Sequence, residues 1–233
     1  MSYRKRVFCL ILGQIVSAIG IVGMVQANIG LDPWNCLHQG LSNVTGLSFG
    51  TCTILVGAAA ILISFLLKEP LSLGTVVNVI CPGLLIDGIQ ALRLIPLMTT
   101  LRGGILMMLG GQAVLALGTY FYMAAAMGAG PRDSLMVAVS RPLHMAPGTC
   151  RTILEITAVG LGWLMGAKVG VGTLLSALTI GLFLQVVFNL FRFDPKTVQH
   201  DSFAQLWTAF RGVFRKQAPE PEDAPSDLPA EKL

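Results

Sequence analysis

Charge is scarce in this chain. Only 12% of its 233 residues are Asp, Glu, Lys or Arg, roughly half the share found in a soluble domain. A water-soluble fold of this length cannot hide so much apolar surface, with 54% of residues apolar. The mean hydropathy of +0.72 makes lipid the natural solvent. Histidine is limited to His38, His144 and His200, widely spaced, which excludes a His-rich metal centre. The five cysteines (Cys9, Cys36, Cys52, Cys81, Cys150) have no CxxC spacing and read as small hydrophobes at helix contacts. There is no Walker loop, no dinucleotide fingerprint and no hydrolytic triad, so neither an enzyme nor a bound cofactor is expected. A basic stripe with interleaved aromatics is also missing, and with it the case for nucleic acid as a partner.

Long apolar runs are what the sequence does have. A membrane span needs about 20 mostly apolar residues. Runs of that kind cover about 7–27, 49–67, 74–92, 103–126, 148–167 and 172–191. The first follows Met-Ser-Tyr-Arg-Lys-Arg without a small-residue cleavage site, so it reads as a span and not as a cleaved signal peptide. Glycine is abundant at 26 residues, which suits close helix contacts in a membrane. After 196 the composition changes. Phe203, Leu206, Trp207, Phe210, Val213 and Phe214 recur at helical spacing beside Arg211, Arg215 and Lys216. Residues 197–216 therefore predict an amphipathic surface helix, and the Pro/Glu/Asp/Ala-rich stretch 217–233 predicts a disordered tail.

The sequence repeats itself at a constant offset of 98 residues, as from Gly30 to Gly128. Arg4 pairs with Arg102, Gly13 with Gly111, Gln14 with Gln112, Gly20 with Gly118, Pro33 with Pro131, and Gly50-Thr51-Cys52 with Gly148-Thr149-Cys150. The matches fall on Gly, Pro and Gln, where coincidence is least cheap in an apolar chain. The first repeat is 1–98 and the second 99–196. Each holds three spans plus a short polar segment after its first span, about 33–43 and 131–145. Three is odd, so the second repeat enters the membrane from the opposite side. The expected fold is an all-α membrane protein of six spans arranged as two inverted three-helix repeats.

Loop charges orient it. With the N-terminus inside, the inner face holds Arg4, Lys5, Arg6, Lys68, Arg132, Arg141, Arg192, Lys196, Arg211, Arg215 and Lys216. The outer face holds Arg93, Arg102 and Lys168. This positive-inside bias predicts two cytoplasmic termini.

The twin short segments carry helix-start signals. Pro33 and Pro131 suit a first helical turn, where a missing N–H costs nothing, and Asp32 can cap. If re-entrant, their positive ends point at the midplane from both sides and make a site for an anion or polar solute. If interfacial, they are connectors. Ionisable residues within apolar runs are functional candidates by default. The substrate-path candidates are Asp32, Asn35, Asp87, Arg132, Asp133, Arg151 and Glu155, the last two at i,i+4 spacing that allows a pair. Gln14, Gln112 and Asn78 are candidates for hydrogen bonds between helices, and symmetry suggests that the two glutamines meet near a pseudo-twofold axis.

Taken together, Gly30-x-Asp32-Pro33-Trp34-Asn35, Gly50-Thr51, Gly74-Thr75-x-x-Asn78, Asp87, Gly130-Pro131-Arg132-Asp133, Arg151-x-x-x-Glu155 and Gly170-x-Gly172-Thr173 resemble the YczE/YyaS/YitT family of bacterial integral membrane proteins over about residues 5–192. The resemblance implies a bacterial plasma-membrane location and supplies no substrate. The expected function is a small secondary transporter or channel-like carrier of a small polar or charged solute, with homo-oligomerisation open. The alternative is a non-transporting accessory protein that binds a partner. A polar cavity touched by both short segments separates the two.

Overall fold

The computed structural model describes residues 3–69, 72–128 and 130–193. The expected surface helix over 197–216 and the tail over 217–233 lie outside those residues. Among the described residues eight α-helices follow one another: α1 (Tyr3–Gln26), α2 (Pro33–Thr45), α3 (Phe49–Leu66), α4 (Leu73–Leu92), α5 (Leu101–Ala124), α6 (Pro131–Ser140), α7 (Pro147–Leu164) and α8 (Val171–Leu190). No strand occurs among the described residues.

Shifting α1, α3 and α4 by 98 residues gives the bounds of α5, α7 and α8 at both ends. The short helices share their starting prolines, Pro33 and Pro131, and differ at their C-terminal ends. α2 closes on Gly46, whose left-handed φ of 72° lets its N–H reach Ser42 O. α6 lacks such a stop and ends at Ser140.

Among the described residues, five helices are long and apolar enough to cross a membrane: α1, α3, α4, α5 and α8. α7 has the length, at 18 residues, but Arg151 and Glu155 thin its apolar stretch. The outer rows are plain hydrocarbon. Leu174, Leu178, Leu182, Val186 and Leu190 on α8 are all exposed at i,i+4 spacing, which is a lipid-facing stripe in a membrane protein.

α1 and α5 pack antiparallel at the centre of the bundle. A Cβ added to Gly13 would come within 2.5 Å of Tyr122 N, and one added to Gly20 within 2.6 Å of Leu115 N. Gly104, further back along α5, meets Ala27 O at the far end of α1. Only glycine lets two helix backbones approach so closely, and in lipid that close packing replaces the hydrophobic drive that holds soluble helices together. The short helices cross between the halves. α2 lies on α7, with Gly162 against Cys36 and Leu37, and Gly40 against Gly162 and Met165. α6 lies against α3. Each repeat is thus completed by the other's short helix.

The loops close on opposite ends. Asn28 at the end of α1 binds Met98 O at 3.2 Å and accepts from Lys168 Nζ at 2.6 Å. At the other end Arg6 donates to Ala125 O and Ala126 O, and Glu69 pairs with Arg141 at 2.6 Å.

Candidate functional site

The first turns of α2 and α6 face each other. Gly30, at φ 119°, and Gly128, at φ 158°, turn the chain back into the bundle after α1 and α5. Gly30 sits against Gly170 and Thr173 at the start of α8, and Gly128 against Ser72 and Thr75 at the start of α4. A side chain at either position would collide with those backbones. Pro33 and Pro131 then open the helices. Trp34 and Arg132 are repeat equivalents, 98 residues apart, and they touch: the guanidinium carbon lies 5.2 Å from the indole centroid. The contact therefore joins equivalent positions of the 98-residue repeat.

A cavity of about 420 Å³ surrounds that contact. Its polar lining comes from α2 (Asp32, Asn35, His38), from α6 (Arg132, Asp133) and from α7 (Arg151, Glu155), with Gln14, Ser17 and Asn78 behind. Its apolar lining includes Ile21, Val56, Val79, Leu115, Leu154 and Phe188. The volume and the mixture of a mostly apolar wall with convergent polar groups are those of a small-molecule site.

The hydrogen bonds fix several groups. Asn35, 1% exposed, donates its amide to Asp32 Oδ1. Its amide oxygen therefore faces His38 Nδ1, at 3.3 Å. Thr53 Oγ1 lies 3.2 Å from the same nitrogen and gives its own proton to Phe49 O. Two acceptors on Nδ1 require the proton there, so neutral His38 is the Nδ1–H tautomer. Arg151 donates to Glu155 at 2.8 Å along α7. Arg132 has no hydrogen bond or ion pair among the described residues; Asp32, Asp133 and Arg151 act on it electrostatically. No group of three metal-ligating side chains occurs among the described residues.

Six of the seven substrate-path candidates, Asp32, Asn35, Arg132, Asp133, Arg151 and Glu155, line this one cavity. Asp87 does not. Its Oδ1 accepts Gly50 N–H at 2.7 Å and its Oδ2 accepts Ser48 Oγ–H at 2.5 Å. It caps the N-terminus of α3, where a carboxylate offsets the helix dipole and satisfies orphan donors. The expected meeting of the two glutamines is also corrected. Gln14 donates to Asn78 Oδ1 at 2.5 Å and touches the cavity. Gln112 instead accepts from Thr179 at 2.6 Å. The antiparallel crossing puts each beside the third span of its own repeat.

Three lining residues escape a scan for charge. Trp34 and Tyr122 carry no charge, and His38 is a lone histidine on a short helix. The available signal for His38 was helical spacing, since Asn35 and His38 share one face of α2.

Residues 4–189 match the family described as "Family of unknown function (DUF6198)". An uncharacterised protein of Haemophilus influenzae is 34% identical over 186 residues, covering 80% of this chain and 84% of the relative. The uncharacterised membrane protein YczE of Bacillus subtilis is 29% identical over 194 residues, covering 82% and 86%. The uncharacterised protein YyaS of the same organism is 24% identical over 178 residues, covering 75% and 88%. No solved structure matches.

Proposed function

The chain belongs to the DUF6198 family, and we propose that it is a small secondary transporter or channel-like carrier of a small polar or charged solute, with no enzymatic step. The observation that carries this reading is a cavity lined by the first turns of both short helices. A helix N-terminus carries about half a positive charge. Two of them converging between repeats reproduce the plan of transporters whose substrate sits at the repeat interface.

In this reading α7 is the sixth span. Its Arg151–Glu155 pair is tolerated because it borders a cavity and not lipid. The antiparallel α1–α5 contact then makes the halves an inverted pair about an axis in the membrane plane. Loop charge sets both termini in the cytoplasm, in a bacterial plasma membrane. α2 and α6 are re-entrant, and the Trp34–Arg132 contact supports that: connections on opposite membrane faces meet only if both dip inward. Transport follows if the halves rock about the Trp34–Arg132 contact and open the cavity to each side in turn.

The test is uptake by proteoliposomes over a panel of small polar solutes. At least one solute should accumulate above empty liposomes, and Arg132→Gln should abolish that uptake while the protein stays monodisperse. No uptake of any solute by folded protein contradicts the reading. The accessory-protein alternative draws on one observation: Asp87 and Glu155 both have partners, as a purely structural bundle requires. It offers no reason for the cavity.

A further inference from the structure

We propose that the cavity takes a small hydroxylated carboxylate, whose hydroxyl donates to His38 Nε2 and whose carboxylate sits on Arg132. The inference deepens the carrier reading and rests on the same cavity. Its basis is a histidine whose proton is fixed on one ring nitrogen, which leaves the other nitrogen as an acceptor.

His38 is 2% exposed and lines the cavity. Its Nδ1 faces Asn35 Oδ1 at 3.3 Å and Thr53 Oγ1 at 3.2 Å. Both oxygens act as acceptors there, because Asn35 turns its amide nitrogen to Asp32 and Thr53 gives its proton to Phe49 O. The Phe49 ring stands nearly perpendicular to the imidazole, with centroids 5.8 Å apart, and holds it from another side. With the proton on Nδ1, Nε2 carries a lone pair and can only accept. Nε2 makes no hydrogen bond among the described residues. A buried acceptor without a donor is less favourable than an apolar group of the same shape. A histidine held in this tautomer therefore calls for a donor that arrives through the cavity.

The scaffold itself does not require histidine at this position. The equivalent residue of the second repeat is Met136, which lines the same cavity. Asn35 and Thr53 correspond in the same way to Asp133 and Arg151. The three residues that set the tautomer stand together in one copy, and all three are replaced in the other.

Arg132 supplies the second point of attachment. Its guanidinium carbon lies 5.2 Å from the Trp34 ring centroid. Trp34 and His38 are at i,i+4 on α2, so their Cβ atoms are ~5–6 Å apart. A donor fork and an acceptor thus stand about one helical turn apart, on the scale of a solute of a few carbons. A guanidinium matches a carboxylate in bidentate geometry. A neutral hydroxyl suits the other point, since it donates to Nε2 without placing a second cation beside Arg132. Val56 and Leu115 wall the cavity for the carbon chain between them.

The test uses Trp34 as its own reporter. The other tryptophans are replaced by Trp163→Phe, at an exposed position outside the cavity, and Trp207→Phe. Purified protein is titrated with 2-, 3- and 4-hydroxybutyrate and with butyrate, which lacks the hydroxyl. The O-methyl ether of the tightest isomer (donor blocked) and its primary amide (carboxylate removed) complete the series. At least one hydroxybutyrate should give a saturable change in Trp34 emission, as its carboxylate draws Arg132 off the ring. It should bind about tenfold more tightly than butyrate, the ether or the amide, the size of one well-formed hydrogen bond. His38→Phe removes the acceptor and keeps an aromatic ring against Phe49. In monodisperse protein it should bring that isomer and butyrate to within about twofold of each other, whereas a residue that only shaped the cavity would weaken both and leave their ratio unchanged. An unchanged ratio overturns the proposal. So does butyrate, the ether or the amide binding the parent as tightly as the hydroxy acid, and so does no response to any isomer. Should His38→Phe fail to fold, the ligand series decides alone. Failure here with uptake of some other solute leaves the carrier reading intact, whereas hydroxybutyrate binding without any uptake removes the carrier reading and keeps the site.

Discussion

The two halves of this molecule share their helix bounds and differ where they face the cavity. Trp34 stands opposite Arg132, Asn35 opposite Asp133, Thr53 opposite Arg151, and Gly57 opposite Glu155; each pair is one position in two copies. At these four positions the first copy supplies neutral groups and the second supplies charge. Asp32 against Gly130 and His38 against Met136 run the other way. The glycines that let the backbones touch are kept in both copies: Gly13 and Gly111, Gly20 and Gly118. Packing is therefore repeated and chemistry is not. A symmetric cavity would hold four arginines and acids facing their own kind; the divergence lets opposite charges share one space.

The largest effect should come from the part that is repeated. Gly20→Leu drives a side chain into the backbone of α5 at Leu115, which neither helix can vacate. Overpacking of a yielding core costs about 1–3 kcal/mol, and this contact does not yield. We expect loss of folded, monodisperse protein by size exclusion, with Gly118→Leu behaving the same way. A mild phenotype in either would break the equivalence of the halves.

The next effect tests the Trp34–Arg132 contact. Trp34→Arg places two guanidinium groups together and should lower the unfolding midpoint, losing a cation–π contact of about 1 kcal/mol and adding repulsion. The double exchange, Trp34→Arg with Arg132→Trp, should recover most of that loss in a thermal melt. Recovery marks a direct contact between the equivalent positions; additivity of the two single losses would place the residues apart.

Asp87 separates structure from path. Asp87→Asn weakens charge-assisted bonds to the start of α3 and should cost about 1–2 kcal/mol in unfolding. Uptake per folded molecule should stay within twofold of the parent. A selective loss of uptake would return Asp87 to the solute path.

The smallest effects come from the twin glutamines. Gln14→Leu leaves Asn78 without its donor and should cost about 1–2 kcal/mol. Gln112→Leu should be nearly neutral in the same melt. Gln112 Nε2 has no partner to lose, and Thr179 keeps its bond to Leu175 O at 2.7 Å.

Much of this was legible in the sequence. Glycine, proline and glutamine recurring at a fixed offset located the repeat, because those residue types are costly to place by chance in a lipid-solvated helix. The six charged or amide residues that meet at the cavity were found because burial makes such residues expensive and hence purposeful. Asp87 was misplaced for the same reason. Its cost is met by a helix N-terminus, and sequence spacing does not reveal that Gly83 packs on Gly50 and sets the carboxylate against α3. The glutamines were misplaced because a matched pair does not disclose the register of an antiparallel crossing. His38 was undervalued because its partners, Asn35 and Thr53, belong to two different helices.

The central claim is that α2 and α6 meet at their first turns inside the membrane. Cross-linking tests it most directly. In a background without the five native cysteines, Trp34→Cys and Arg132→Cys are combined, with a protease site inserted between Arg93 and Leu101. A short bifunctional maleimide should join the two halves, so that cleavage releases no fragments on a denaturing gel. Helices lying flat on opposite faces would be about 30 Å apart, the thickness of the hydrocarbon core. Two fully labelled but separable fragments would contradict the claim.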